Sequence, residues 1–124
     1  MQITQCLHAA LLVTDLQRAE EFYSNILGLS KSEVRNLNFP GIWYQIGDFQ
    51  LHLIVAPEVP SQIQNSEKWG RNPHISFAVD DLDTAKQRLI DHNYPIQPSA
   101  SGRPALFTKD PDNNIIELSQ QLAN

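Results

Sequence analysis

Two hydrophobic periods alternate along this chain, and the order in which they appear is used twice. Residues 3–14 are rich in apolar, strand-forming types, and Thr14 or Asp15 is placed to cap a helix behind them. Leu16, Ala19, Phe22, Tyr23, Ile26 and Leu27 then recur at helical spacing, with Gln17, Arg18, Glu20, Glu21 and Ser24 on the other side. Gly28 stands where a C-terminal glycine ends a helix. Short β segments follow at 30–37, 41–46 and 49–56, separated by turn residues at 38–41 and by Gly47-Asp48, so the first half reads β-α-β-β-β. Residues 57–73 are polar, hold three prolines and read as a linker, with one helical turn expected over 62–68.

The second half repeats the plan. A strand over 74–79 leads into a helix capped by Asp80 or Asp81, whose inner face is Leu82, Ala85 and Leu89. A short strand near Ile96, a loop over 98–104, a strand over 105–109, a turn over 110–113 and a last strand over 114–120 complete it, and 121–124 read as a frayed tail. The copies are visible in the letters: His74-Ile-Ser-Phe-Ala-Val-Asp-Asp-Leu-Asp-Thr-Ala85 lies without gaps over His8-Ala-Ala-Leu-Leu-Val-Thr-Asp-Leu-Gln-Arg-Ala19, with five of twelve positions identical. The expected architecture is α+β, two βαβββ modules at 1–56 and 74–124 within a single domain of 124 residues.

The repeat also singles out candidate chemistry. Alternate strand residues share a face, so His8 stands with Cys6, Ala10 and Leu12, and His74 with Ser76 and Ala78. Those histidine faces carry mostly small residues and leave room for a bound group. Superposing the last strands of the halves pairs His52 with Glu117, 44 residues after His8 and 43 after His74. Both sit between apolar neighbours, and a carboxylate at such a strand centre needs a partner. A lone strand histidine is ordinarily a satisfied, half-buried polar residue; four metal-type side chains at repeat-equivalent positions read instead as ligands. Three imidazoles and one carboxylate suit Zn²⁺, Ni²⁺, Fe²⁺ or Mn²⁺ and suit Ca²⁺ or Mg²⁺ poorly. His92 has no counterpart and reads as a solvent-facing residue at the end of the second helix. Cys6 reads as a small buried thiol.

Composition narrows the picture only a little. Hydrophobic content of 41% and charged content of 19% are those of an ordinary soluble domain, and a net charge of −5 argues against a nucleic-acid partner. One cysteine excludes an intramolecular disulfide and fits a reducing cytoplasm. Neither a signal peptide nor a membrane span is visible, so a cytoplasmic location is expected.

The repeat, the phrase from His74 to Asp83, the stretch Phe22-Tyr23-Ser24-Asn25-Ile26-Leu27-Gly28-Leu29 and the ending from Phe107 to Leu118 together resemble the vicinal oxygen chelate superfamily. Its members include glyoxalase I, fosfomycin resistance enzymes, methylmalonyl-CoA epimerase, extradiol dioxygenases and bleomycin-binding proteins. The resemblance spans nearly the whole chain. It implies sheets curled around a divalent metal, a homodimer, a small-molecule substrate and ligands at His8, His52, His74 and Glu117. Residue 52 departs from the pattern, since glyoxalase I-like members carry Glu or Gln there and dioxygenases use only the other three positions.

Three functions are therefore expected in order. The first is a metal-dependent lyase or isomerase that chelates two adjacent substrate oxygens, with Glu117 as the base. The second is an extradiol-type iron dioxygenase built on His8, His74 and Glu117. The third is a metal-free ligand-sequestering protein of the bleomycin resistance type. Trp43, Gln50 and Phe107 are candidates to line the substrate pocket, and Arg103 to hold an anionic substrate group.

Overall fold

Asp15 begins the first helix as the sequence predicts, its carboxylate accepting a hydrogen bond from the Arg18 N–H at 3.0 Å. The computed structural model describes residues 1–33 and 38–121. Helix α1 (Leu16–Glu20) runs into a π-wound segment, Glu21–Ile26, marked by the Leu27 N–H bonding the Phe22 carbonyl five residues back at 2.9 Å. Of the expected stripe, Ala19 in α1 and Phe22, Tyr23 and Ile26 in the π-wound segment are buried, while Leu16 and Leu27 are only half-buried. Gly28 ends the segment with φ of 72°, a left-handed conformation that suits glycine.

The chain forms two compact units, Met1–Val59 and Pro60–Asn124. The first holds a four-stranded mixed sheet in the order β1 (His8–Val13), β4 (Phe49–Val55), β3 (Gly41–Ile46), β2 (Ser30–Lys31). Strand β1 runs parallel to β4, and the other pairs are antiparallel. The second repeats this order with β5 (His74–Val79), β8 (Ile115–Gln120), β7 (Ala105–Lys109) and β6 (Ile96–Pro98), and its helix α2 (Leu82–Asp91) packs on β6 and β8. Each unit is thus a βαβββ module, as the pattern predicts, and its sheet is not closed.

Each core lies on the helix side of its sheet. In the first unit Leu51 and Leu53 join Val13, Tyr44 and the helix residues. In the second, Ile116 and Leu118 join Leu106 and Leu89.

Four local expectations need correction. The first strand begins at His8 rather than Ile3, because β4 offers its first ladder partner, Gln50, opposite His8. Cys6 therefore precedes the sheet and is exposed, not a buried thiol. In the segment expected as a strand over 30–37, the strand proper is Ser30–Lys31, the Ser32 N–H still bonds the Trp43 carbonyl at 2.7 Å, and 34–37 lie outside the described residues, as do 122–124 of the expected tail. The helical turn expected over 62–68 forms as a 3₁₀ turn at Trp69–Arg71 instead. Side chains rather than helix bonds shape 64–68: the buried Asn72 carboxamide accepts from the Gln64 and Asn65 N–H groups and donates to the Asn65 carbonyl, while the Asn65 side chain accepts from the Glu67 and Lys68 N–H groups.

Candidate metal and substrate site

Strand register places the candidate ligands of the two units at equivalent points. His52 on β4 lies between Ala10 of β1 and Trp43 of β3, and Glu117 on β8 lies between Ser76 of β5 and Phe107 of β7. Ala10 and Ser76 each stand two residues after the first-strand histidine, so each module brings an imidazole and a last-strand donor to one face. That face is the open one: His8, Ala10 and Leu12 are exposed, as are His74, Ser76 and Ala78.

In the first unit the residues form a stack of rings. Trp43 lies over His52 at 4.1 Å between centroids and 9° between planes, and His8 lies over His52's ring at 4.2 Å and 14°. His52 is 8% exposed, and its Nε2 meets Gln50 Oε1 at 2.9 Å. Since an amide oxygen only accepts, Nε2 carries the hydrogen in this contact. Gln50 in turn donates to Gln45 Oε1 at 2.8 Å. Three of the sequence candidates, His8, Trp43 and Gln50, therefore meet around His52.

In the second unit charge replaces stacking. Glu117 is 6% exposed and meets His74 Nε2 at 3.2 Å through Oε1 and Arg103 Nη2 at 3.5 Å through Oε2. These are the partners a carboxylate between Ile116 and Leu118 requires. Phe107 stands edge-on to the His74 ring at 5.4 Å between centroids. The 3₁₀ turn presses against Phe107 from the other side: a Cβ on Gly70 would lie 2.5 Å from Phe107 Cζ, so only glycine lets the backbone approach this closely.

The His74 ring carries the most chemical information. Its Nδ1 lies 2.7 Å from the Asn72 carbonyl, an acceptor, so Nδ1 bears a hydrogen. Its Nε2 then faces a carboxylate oxygen, and a proton or a metal ion between the two satisfies both. An imidazole whose far nitrogen is anchored on a carbonyl is the outer-shell arrangement of metal-binding histidines. By donor chemistry the residues fit a divalent transition metal. Each unit supplies two such donors, and no group of three or more His, Cys, Asp or Glu side chains is gathered among the described residues.

The remaining candidate, His92, caps α2 by donating from Nδ1 to the Arg88 carbonyl at 2.8 Å, the solvent-facing role expected. What the sequence did not single out is Asn72, which organises the 64–72 loop and anchors His74; its only signal was a polar residue two positions before a candidate ligand. No helix among the described residues is long and apolar enough to cross a membrane.

Comparison with known proteins agrees with this fold. The family model described as Glyoxalase/Bleomycin resistance protein/Dioxygenase superfamily matches residues 5–118. The chain is 30% identical over 122 residues to a Vibrio cholerae protein named "Probable lactoylglutathione lyase", covering 92% of this chain and 88% of that one. It is 29% identical over 126 residues to the mitochondrial methylmalonyl-CoA epimerase of Homo sapiens, covering 91% and 72%. Among solved structures, the fosfomycin resistance protein FosX of Listeria monocytogenes superposes with a TM-score of 0.74 over 98% of this chain and 96% of its own, at 19% identity.

Proposed function

The chain belongs to the Glyoxalase/Bleomycin resistance protein/Dioxygenase superfamily, and on that premise we propose that it is a divalent-metal-dependent lyase or isomerase working as a homodimer on a small substrate with two adjacent oxygens. The proposed ligands are His8, His52, His74 and Glu117. The observation that carries this reading is His74, anchored through Nδ1 on the Asn72 carbonyl with Nε2 turned to the Glu117 carboxylate. Relatives named as a lyase and an epimerase support a reaction at a carbon beside a carbonyl. When bound, the metal supplies Lewis-acid stabilisation of charge developing on the substrate oxygens.

The chain's own residues do the rest. Glu117 takes the proton from the substrate carbon at a carboxylate oxygen, and Arg103, beside Oε2, holds that carboxylate in place. Trp43 packs on His52 and Phe107 on His74, each within its own unit, and Gln50 orients His52 through Nε2.

A second reading has its own observation. The His52 ring is flanked by Trp43 and His8, with Nε2 engaged by Gln50. A His52 held there leaves His8, His74 and Glu117, the two-histidine, one-carboxylate set of non-haem iron oxygenases.

Metal analysis of protein purified without added metal, together with the His52→Ala variant, tests both. A first-row metal at about one per chain, lost in His52→Ala, supports the four-ligand lyase or isomerase. Metal retained in the variant, with oxygen consumed on catechols, supports the oxygenase. Protein that neither carries nor takes up metal overturns both and leaves a ligand-sequestering protein.

A further inference from the structure

On the histidine face of the first sheet, two carboxamides and an imidazole are joined end to end. Gln45 of β3 and Gln50 of β4 are direct cross-strand partners, and His52 stands two residues further along β4 on the same face. Gln45 Nε2 donates to the Gly47 carbonyl of the turn between β3 and β4 at 2.7 Å, with the Phe49 carbonyl at 3.4 Å. Gln50 Nε2 donates to Gln45 Oε1 at 2.8 Å, and Gln50 Oε1 meets His52 Nε2 at 2.9 Å. The chain of bonds therefore starts on backbone carbonyls, which only accept, and that sets the direction of every bond after them. Gln45 turns its NH₂ to the carbonyls and its oxygen to Gln50. Gln50, its NH₂ so engaged, turns its oxygen to His52. Ring stacking does not make this choice. Trp43 and His8 flank the His52 ring and fix its plane, but a half-turn about the Cβ–Cγ bond keeps the plane and exchanges the two edges of the ring.

We propose that Gln45 is a positioning residue: it fixes the direction of this amide chain and so holds His52 as the Nε2–H tautomer, which makes Nδ1 the ring atom that takes a metal. The choice of binding atom rests on the four-ligand lyase or isomerase reading; the control of the tautomer does not. A metal on His52 Nε2 would have to replace both the hydrogen and the Gln50 bond. The ring is 8% exposed, so water does not readily restore what Gln50 would lose. His74 is held the other way round, with Nδ1 donating to the Asn72 carbonyl, so the two proposed ligands present different nitrogens. Gln45 itself touches neither the metal-binding atoms nor a substrate. It acts through Gln50, and its effect is the polarity it passes on.

The test is long-range ¹H–¹⁵N correlation spectroscopy of the metal-free full chain at a pH above the ordinary imidazole range, which separates protonated ring nitrogens from bare ones. The His52 signals are identified by their loss in His52→Ala. In the parent, His52 should carry its hydrogen on Nε2 in an excess of about tenfold, the size of one buried hydrogen bond. His74 and His92, whose Nδ1 atoms donate to carbonyls, should carry theirs on Nδ1 in the same spectrum. Two substitutions at the exposed Gln45 side chain, where folding is not at issue, then act in opposite directions. A carboxylate still accepts from Gln50, so Gln45→Glu keeps the hydrogen on Nε2. A lysine only donates, so Gln45→Lys draws the Gln50 oxygen to itself, turns the Gln50 NH₂ to His52 and moves the hydrogen to Nδ1. A merely structural role for Gln45 would give one result in both variants. Hydrogen on Nδ1 in the parent, or a tautomer unmoved by Gln45→Lys, overturns the proposal. Zn²⁺ added to the parent separates this from the metal reading. Nε2–H kept while Nδ1 shifts supports the assigned binding atom, and hydrogen lost from Nε2 overturns it. A tautomer that follows Gln45 in protein that takes up no Zn²⁺ removes the metal reading and leaves the control by Gln45 standing.

Discussion

The two modules hold equivalent positions by different physics. His52 and Glu117 share a register point, are almost equally buried, and have an aromatic residue across the ladder. The imidazole is fixed by stacked rings and an amide; the carboxylate is fixed by an imidazole and a guanidinium. A duplicated fold conserves the place where a functional group is displayed, while the neighbours follow the charge of what is displayed there. The cores differ as well. The first helix buries two aromatic rings completely, Phe22 and Tyr23, and the second buries only Leu89 to that extent.

That contrast in helix docking gives the largest expected effects. Phe22→Ala empties a fully buried aromatic site and should cost about 3–5 kcal/mol. Leu89→Ala removes the second helix's principal anchor and should cost about 2–4 kcal/mol. Urea denaturation of each variant decides the order. If Leu89→Ala proves the more damaging, the second module depends on its helix more than burial alone indicates.

The register-equivalent polar pair should respond with opposite signs. His52→Leu forfeits two ring stacks and the Gln50 bond, and should destabilise by about 1–2 kcal/mol. Glu117→Leu removes a buried carboxylate whose partners, His74 and Arg103, are both open enough to be rehydrated, and should be neutral or stabilising by about 1 kcal/mol while abolishing metal uptake. Thermal melts read both signs. A Glu117→Leu protein that melts well below the parent would make the ion pair part of the fold's stability rather than a feature kept for chemistry.

One ladder step along, the modules differ again. Tyr44 and Thr108 stand beside Trp43 and Phe107 at equivalent, fully buried positions. The Tyr44 hydroxyl bonds Ser24 Oγ at 2.8 Å, and burial pushes its pKa above the ordinary 10.0, so it stays protonated. The Thr108 hydroxyl has no hydrogen-bond partner among the described residues. Thr108→Val keeps the shape and removes the orphan, and should stabilise by about 1 kcal/mol. Tyr44→Phe should cost about as much. A destabilised Thr108→Val would show that the hydroxyl is satisfied by water.

Much of this was legible in the letters because it depends on period and repetition. Both helices, their Asp caps, the βαβββ order and the turn glycine Gly28 follow from local patterns that the folded chain does not override. The pairing of His52 with Glu117 was readable because duplication preserves register. What was not readable depends on partners distant in sequence. The start of β1 is set by its first partner on β4, Gln50, 42 residues later. The π-wound turn is set by packing of Phe22 and Tyr23, and the 64–72 loop by the side chain of Asn72. The pocket lined by Lys68, Arg71 and Arg103 was invisible for the same reason: these residues come from two separated segments, and only folding brings them to one cavity.

The smallest effect expected is a pH dependence at the start of the second helix. Asp15 and Asp81 both cap by accepting from the backbone N–H three residues on, at 3.0 and 3.1 Å. The Asp81 carboxyl is held below its ordinary value of 3.8, chiefly by the hydrogen bond from the Thr84 N–H and then by that residue's side chain. A folded-state value below the unfolded one means that the unfolded chain takes up the proton first. The cap's contribution is therefore complete above pH 3.8 and is lost as pH falls through the lower folded value. Asparagine caps without titrating, so Asp81→Asn should lose less stability than the parent over that acid window while remaining close to it near neutrality. Denaturant midpoints measured at a series of acid pH values check this. If variant and parent fall in parallel, the acid sensitivity of the second module does not come from this cap.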